Sequence, residues 1–365
     1  MNNDARLLSG LRICHGMSPA QTDAFVDACL PARVPAGTLL IGRGDDDRAM
    51  LFVREGEVEV FIGEGKEELV VGELGPGEHA GAMGLLRLTD RRTASARART
   101  ACTLLILEPE GLEALDRAAN PFVFNLEADV IKGLIARQAS VLHSLSRLAP
   151  GEDPEELWPP AVPSLLDRFE NLLNRRTTAP PPAIHPINAL RACPGMTEAP
   201  QAALQSLLQR LKAGRVDAGT VLSLEGGDRT DAFILVRGSI GRFRRARSGG
   251  EIALAALRPG ALAGFESILE LSAPPVSCVA LEESLVLRVP RNLCVDALFE
   301  RSPTARILRQ AMLKSLGLRL DEVTSVLLEA VRASRTSGDA ASEDTVDLDQ
   351  EPMLLVACNA SAGAI

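Results

Sequence analysis

Short apolar runs alternate with polar residues along much of the chain, and glycines separate the runs. In the clearest run, EVEVFI (57–62), the apolar residues Val58, Val60 and Ile62 occupy every second position. Side chains of a strand point to opposite faces in turn, so this period of two predicts a half-buried strand. The runs are separated by glycine-centred turns at Gly37, Gly56, Gly63, Gly75 and Gly77. The pattern predicts an antiparallel roll or barrel.

The same pattern occurs twice. Three segments of the first half return in the second half, in the same order and at an offset of about 180 residues. They are LRICHGMS (11–18), which returns as LRACPGMT (190–197); residues 34–61, which return as 216–243; and LGPGEHAGAMGLL (74–86), which returns as LRPGALAGFESIL (257–269). The constant order and spacing indicate an internal duplication.

Each copy is predicted to begin and end with a helix. Ser18-Pro19 and Thr197 are suited to cap the first helices, whose predicted apolar faces are Phe25, Val26, Cys29 and Leu30, and Leu204, Leu207, Leu208 and Leu211. Apolar residues three and four apart predict closing helices over 121–148 and from Leu308 to Ala330. Such a seam either pairs the helices of two protomers in a homodimer or packs on its own roll, and both alternatives stay open.

The length of 365 residues suits two domains, and the composition, 46% hydrophobic and 24% charged, is that of a folded protein. We predict domains at 8–148 and 188–332. The linker between them, 149–187, is rich in proline and contains PSLLDRFENLLN (163–174), which predicts a short amphipathic helix. The remaining segment, 333–365, is acidic and is predicted to be a disordered tail.

Composition and motifs argue against several classes of function. The formal net charge is −9, no apolar run is long enough for a membrane span, and the amino terminus lacks a signal-peptide pattern. The seven cysteines and four histidines do not cluster, which predicts buried free thiols and no metal site. We find no P-loop, GxSxG or HExxH motif. We therefore expect a cytoplasmic, non-catalytic protein without a cofactor, and arginine-rich composition favours a bacterial source.

Two charged runs are interpreted as ordinary surface features. Asp45-Asp46-Asp47 lacks the ligand spacing of a calcium loop and is typical of a loop tip. The run RFRRAR (242–247) could contact phosphate, but it lies just before Ser248-Gly249-Gly250, so we expect exposed arginines at the end of a hairpin.

Residues 76–98, PGEHAGAMGLLRLTDRRTASARA, resemble the phosphate-binding cassette of the cyclic-nucleotide-binding superfamily, which includes catabolite-activator regulators and kinase regulatory subunits. That cassette runs glycine, glutamate, a hydrophobic residue, a small residue, two apolar residues, a short loop, then arginine, a small or hydroxyl residue and alanine. The candidate ligand-binding residues here are Gly81, Ala82, Met83, Gly84, Arg92, Thr93 and Ala94. Ala82 stands where the family has its ribose-binding glutamate.

The resemblance implies a mainly β fold with flanking helices, in which two tandem double-stranded β-rolls each end in a closing helix. It also implies cAMP or cGMP as the ligand, with a helix amino terminus and Arg92 at the cyclic phosphate. Losing the glutamate's charge-assisted hydrogen bond would cost about 1.5–3 kcal/mol. The alternative is that Arg92 is one of several surface arginines, with Arg91, Arg97 and Arg99.

The second cassette, AGFESILELSAPPVSCVA (263–280), has Phe265 at the glutamate position and Pro275 at the arginine position, so we expect a degenerate pocket. Regulators of this family continue into a winged helix-turn-helix, whereas the 33 residues after Arg332 are acidic, so no direct DNA binding is expected. Two functions follow: a regulatory protein that senses a cyclic nucleotide through its first domain, or a degenerate scaffold that binds a protein partner through its helices and tail.

Overall fold

The computed structural model describes residues 12–62, 68–153, 157 and 186–336. They form two compact units, of which the first reaches Arg137 and the second begins at Gln138. This division falls within the helix that we predicted to close the first domain. The amphipathic helix predicted at 163–174 and the tail from residue 337 lie outside the described residues.

The first unit contains a roll of two four-stranded antiparallel sheets. Its strands are β1 (Leu30–Val34), β2 (Leu39–Ile41), β3 (Met50–Glu55), β4 (Val58–Ile62), β5 (Leu69–Leu74), β6 (His79–Ala80), β7 (Ser95–Ala98) and β8 (Cys102–Leu107). They are ordered β1-β8-β3-β6 in one sheet and β2-β7-β4-β5 in the other. The predicted roll is confirmed. The alternation of buried and exposed residues in β4 is less strict than predicted, because Phe61, at a polar-face position, is also buried. The Arg97 guanidinium covers the Phe61 ring, 4.6 Å from the ring centre.

Among the described residues, a 3₁₀ turn (Arg12–Cys14) and four α-helices accompany the first roll: α1 (Pro19–Asp27), α2 (Ala82–Leu85), α3 (Pro109–Arg117) and α4 (Pro121–Leu148). α4 has the bounds that the apolar spacing predicted. α1 begins with the predicted cap at Ser18. The structure shows it as a capping box, in which Ser18 Oγ accepts from the Gln21 amide and Gln21 Oε1 accepts from the Ser18 amide at 2.8 Å. Pro19 occupies the first turn, where its missing N–H costs no hydrogen bond.

Three phenylalanines join the helices to the first roll. Phe25 of α1 stacks on Phe122 of α4 with ring centres 4.1 Å apart, and Phe52 of β3 meets Phe25 edge-on at 5.3 Å. All three rings are fully buried. The predicted apolar face of α1 is wrong at Leu30, which is exposed, because the chain has already left the helix and entered β1.

The second unit repeats this architecture. Its strands are β9 (Lys212–Val216), β10 (Val221–Ser223), β11 (Ala232–Arg237), β12 (Ile240–Arg245), β13 (Glu251–Leu257), β14 (Leu262–Ala263), β15 (Ser277–Ala280) and β16 (Ser284–Val289). The sheet orders, β14-β11-β16-β9 and β10-β15-β12-β13, match those of the first roll strand for strand. Pairing register is also repeated, since Leu51 faces Ile106 and Phe233 faces Arg288. The duplication predicted from sequence is therefore present in the fold.

The helices of the second unit are α5 (Pro186–Arg191), α6 (Gln201–Arg210), α7 (Phe265–Leu269), α8 (Arg291–Phe299) and α9 (Pro303–Thr336). The predicted cap at Thr197 is wrong: α6 begins at Gln201, directly after Pro200, which fixes its own φ and donates no hydrogen bond. α9 is the predicted closing helix, and it extends to Thr336, so the predicted start of the tail at residue 333 is wrong.

Three further observations concern the described residues. The six cysteines among them are buried free thiols, as predicted. No described helix has a stretch of 18 residues that is apolar enough to cross a membrane. Among these residues no group of three or more histidine, cysteine or acidic side chains is arranged to hold a metal ion.

Gly56, in the turn between β3 and β4, has a left-handed φ of 93°, and a Cβ there would lie 2.5 Å from the Ala101 carbonyl oxygen. Gly37 has a similar φ of 84° but open space around it. Gly37→Ala should therefore cost only the left-handed backbone, about 1–2 kcal/mol. Gly56→Ala should lower the melting temperature of the full chain further, as measured by calorimetry, because the neighbouring backbone must also move. Equal melting temperatures for the two variants would contradict this account of the turn.

Candidate ligand-binding site

A cavity in the first roll lies between α2 and the sheet that contains β2, β7 and β4. All seven residues proposed from the sequence line it, together with Ile41, Val60, His79, Ala80, Thr89, Ser95 and Ala96. Its volume is about 90 Å³. A single water molecule needs roughly 10–15 Å³ on the same measure, so the cavity has room for a ligand of several atoms.

Two glycines of the cassette helix and its cap lie against Arg92. Gly81 precedes the helix with a φ of 96°, and a Cβ there would lie 2.6 Å from the Ala49 carbonyl oxygen. Gly84 lies in the helix, where a Cβ would come within 2.5 Å of Arg92 Nη1. Glycine at both positions therefore lets the Arg92 guanidinium pass closely beneath the cassette helix.

Arg92 lies inside the first roll and is only 7% exposed. Its Nε and Nη2 donate to the two carboxylate oxygens of Asp47 at 2.9 and 2.7 Å, a bidentate ion pair. Nη1 donates to the Gly81 carbonyl at 3.2 Å, and Nη2 also donates to the Ala49 carbonyl. The alternative that Arg92 is a surface arginine is therefore wrong. Its neighbour Arg91, by contrast, is exposed.

Asp47 supplies the charge that keeps Arg92 buried. Hydrogen bonding from Arg92 lowers the pKa of Asp47, so the carboxylate is ionised at neutral pH. The side chain is 46% exposed and approaches Arg92 from the edge of the roll. The sequence does not reveal this role, because nothing local distinguishes Asp47 from Asp45 and Asp46. All three aspartates are exposed, as expected of a loop tip, and Asp47 differs in being the ion-pair partner of Arg92.

His79 is a second residue of the cavity that the sequence did not indicate. It is buried beside Phe52, with the ring centres 5.5 Å apart. Burial lowers the pKa of His79 to about 4, so the imidazole is neutral at neutral pH. The ionised group at the cavity wall is thus the Arg92 guanidinium, set among apolar side chains such as Ile41 and Val60. This arrangement suits an anion that carries an apolar body.

The second roll lacks both family anchors, as predicted, although one position needs correction. The Gly44 amide donates to the Arg92 carbonyl at 2.9 Å, and at the corresponding place the Gly226 amide donates to the Pro274 carbonyl at 3.0 Å. Pro274, not Pro275, therefore occupies the position of the arginine. The loop between the cassette helix and this position is one residue shorter in the second roll, so counting along the sequence at a constant offset gives Pro275 instead of Pro274. Phe265 begins α7 as Ala82 begins α2, so its assignment to the glutamate position is consistent with the fold.

The interpretation of RFRRAR (242–247) as exposed arginines holds for Arg245 and Arg247 but is wrong for Arg242 and for Arg244, whose side chain is only 18% exposed. Arg242 is only 1% exposed and points into the second roll. β12 continues to Arg245, so Arg242 lies well before the turn, on the inward side of the strand. Its charge is balanced by Glu322, whose Oε2 lies 2.7 Å from Arg242 Nη1.

Comparison with known proteins gives a family match for both rolls. The model of the cyclic nucleotide-binding domain matches residues 31–118 and 214–301. Among solved structures, the regulatory domain of Toxoplasma gondii PKA with cAMP is 16% identical, with 91% of this chain and 95% of that chain covered and a TM-score of 0.29. No curated protein matches the sequence.

Two further solved structures resemble single parts of the chain. The catabolite activator protein of Thermus thermophilus is 30% identical over 39% of this chain and 73% of its own, with a TM-score of 0.30. A cyclic nucleotide-binding-like protein from Brucella abortus is 17% identical over 32% of this chain and 99% of its own, with a TM-score of 0.29. With the domain model matched once in each of two equivalent rolls, the chain belongs to the cyclic nucleotide-binding domain family and carries two copies of that domain in tandem.

Proposed function

We propose that this chain is a non-catalytic regulatory protein whose first roll binds a cyclic nucleotide, cAMP or cGMP, through Arg92. The observation that carries the proposal is the buried guanidinium at the wall of a cavity built from the cassette residues. The family match supports this ligand class. A ligand that bridges Arg92 and the cassette would draw α2 towards the roll and reposition the helices that follow, which is the regulatory step.

The hydrogen bonds of Arg92 leave a place for a phosphate oxygen. A guanidinium has five N–H groups. Nε and Nη2 are directed to Asp47, which fixes the plane of the group, and Nη1 carries two N–H groups, of which the Gly81 carbonyl accepts one. The second is suited to a cyclic phosphate, with the amides of the first turn of α2, which have no acceptor within the helix, nearby.

Replacing Arg92 tests the proposal. We expect isothermal titration of the full chain to show binding of cAMP or cGMP, and Arg92→Gln to abolish it, because the charge that meets the phosphate is lost. Arg91→Ala is the matched control: it removes the same charge from the adjacent exposed position and should leave binding unchanged. Melting temperatures of both variants establish that the fold is intact.

Absence of heat with either nucleotide at millimolar concentration would contradict the proposal. So would equal binding by wild type and Arg92→Gln. The chain would then be better described by the scaffold alternative, in which a protein partner binds through the helices or the tail, or a homodimer forms through the closing helices.

Ala82 gives a second test, because a carboxylate there would restore the family's contact with the ribose. Ala82 is buried at the cavity wall. We expect Ala82→Glu to tighten cAMP binding by about tenfold or more, which corresponds to one charge-assisted hydrogen bond. The 2′-deoxy analogue of cAMP is the control, since it lacks the hydroxyl. An equal gain for both ligands, or no gain for cAMP, would show that Ala82 does not face the ribose.

A further inference from the structure

The interior of the second roll is charged where that of the first is apolar. In the first roll Val60 of β4 pairs with Ala96 of β7, and both line the cavity. In the second roll the same register pairs Arg242 of β12 with Cys278 of β15. A long cationic side chain thus enters the second roll at a place where the first roll has methyl groups.

The partner of Arg242 comes from the closing helix. Arg242 Nη1 donates to Glu322 Oε2 at 2.7 Å, and Glu322 Oε1 accepts from the Ala255 amide of β13 at 2.8 Å. Both carboxylate oxygens of Glu322 therefore bind the same sheet through two neighbouring strands. This contact holds α9 on the roll by a charge-assisted hydrogen bond rather than by apolar packing alone.

A second ion pair lies one helical turn earlier. Arg319 Nη1 is 2.8 Å from Glu266 Oε1, and both side chains are more than nine-tenths buried. The Arg319 guanidinium also lies over the Phe265 ring, 5.1 Å from its centre. Glu266 and Phe265 belong to α7, the cassette helix of the second roll. α9 is thus tied to the cassette as well as to the sheet.

The four charges compensate one another. Burial lowers the pKa of Arg319, while the carboxylates of Glu266 and Glu322 raise it. Removing one member of such a set leaves an uncompensated charge in the interior, which costs more than never having buried the pair. The buried guanidinium groups of Arg242 and Arg319 therefore depend on the carboxylates beside them.

The first roll lacks three of these four charges at the equivalent places. α4 begins at Pro121 and α9 at Pro303, so Glu322 corresponds to Ser140 and Arg319 to Arg137. Glu266, second residue of α7, corresponds to Met83, and Arg242 corresponds to Val60. The three charged residues without a counterpart are therefore particular to the second roll, which is also the roll without the family's arginine.

We propose that Glu322 is an internal ligand of the second roll: its carboxylate takes the place of an external anion beside Arg242 and clasps α9 on the sheet. The second roll is held in one state by its own closing helix and takes no nucleotide. This inference is independent of ligand binding in the first roll, because it rests on residues of the second unit alone.

The first test measures hydrogen exchange along α9 in the full chain. We expect Glu322→Gln and Glu322→Ala to speed amide hydrogen exchange in the second half of α9 by about tenfold, because the charge-assisted hydrogen bonds from Glu322 to β12 and β13 are lost. Glu329→Gln is the matched control, since it removes the same charge from an exposed position two turns later on α9. Unchanged exchange in both Glu322 variants would overturn the proposal.

Rescue by a small carboxylate distinguishes an internal ligand from a merely structural contact. Arg242 Nη2 is buried without a hydrogen-bond partner among the described residues, so a carboxylate can accept from both terminal nitrogens once Glu322 is shortened. Millimolar acetate should raise the melting temperature of Glu322→Ala, while chloride at equal ionic strength should not. It should have no such effect on wild type or on Arg242→Met/Glu322→Ala. An equal response of wild type, or no response of Glu322→Ala, would contradict an occupied anion site.

A double variant keeps the proposal testable if Glu322→Ala does not fold. Arg242→Met/Glu322→Gln removes the buried cation together with its counter-charge. We expect it to melt at a higher temperature than Glu322→Gln alone, because the single variant leaves Arg242 without a counter-charge. If the decreases in melting temperature of the two single variants simply add in the double variant, the two residues do not act as a pair.

Discussion

A guanidinium inside a small β-roll needs a carboxylate beside it, and this requirement governs both halves of the chain. Leaving a buried charge without its partner costs about 3–5 kcal/mol, a large part of the roughly 5–15 kcal/mol by which a typical domain is stable. The first roll meets the requirement with Asp47, which precedes β3. The second meets it with Glu322 from the closing helix. The element that supplies the carboxylate determines whether the interior of each roll keeps a cavity or is filled by charged side chains.

Asp47 approaches from the edge, so the first roll keeps a cavity. Its side chain remains 46% exposed, and it holds Arg92 by the Nε and Nη2 side of the guanidinium while Nη1 lies against the cassette. Glu322 instead belongs to the long helix α9 and binds β12 and β13, with Arg319 on the preceding turn. The side chains that carry these charges occupy the interior of the second roll. One scaffold thus supports an open site and a self-occupied site.

The sequence predicts the features that depend on local periodicity. The strands and the bounds of α4 follow from apolar spacing over a few residues, and the duplication follows from segments repeated at a constant offset. The burial of Arg242 could not be predicted, because RFRRAR is a basic run near a turn and its partner lies 80 residues away. Asp47 was missed for the same reason, since 45 residues separate it from Arg92. Ion pairs across a roll leave no periodic pattern, so the site could be predicted only where a motif resemblance supplied it.

The two members of the Arg242–Glu322 pair depend on each other unequally. Glu322 is 23% exposed and keeps the Ala255 amide as a donor, so its carboxylate remains solvated and hydrogen-bonded without the arginine. Arg242 is 1% exposed, and its Nη1 donates to Glu322. A carboxylate on the closing helix is therefore tolerable before an arginine appears on β12, whereas the reverse order would bury a bare cation. The closing helix, rather than the sheet, is the element that allows the second roll to carry charge inside.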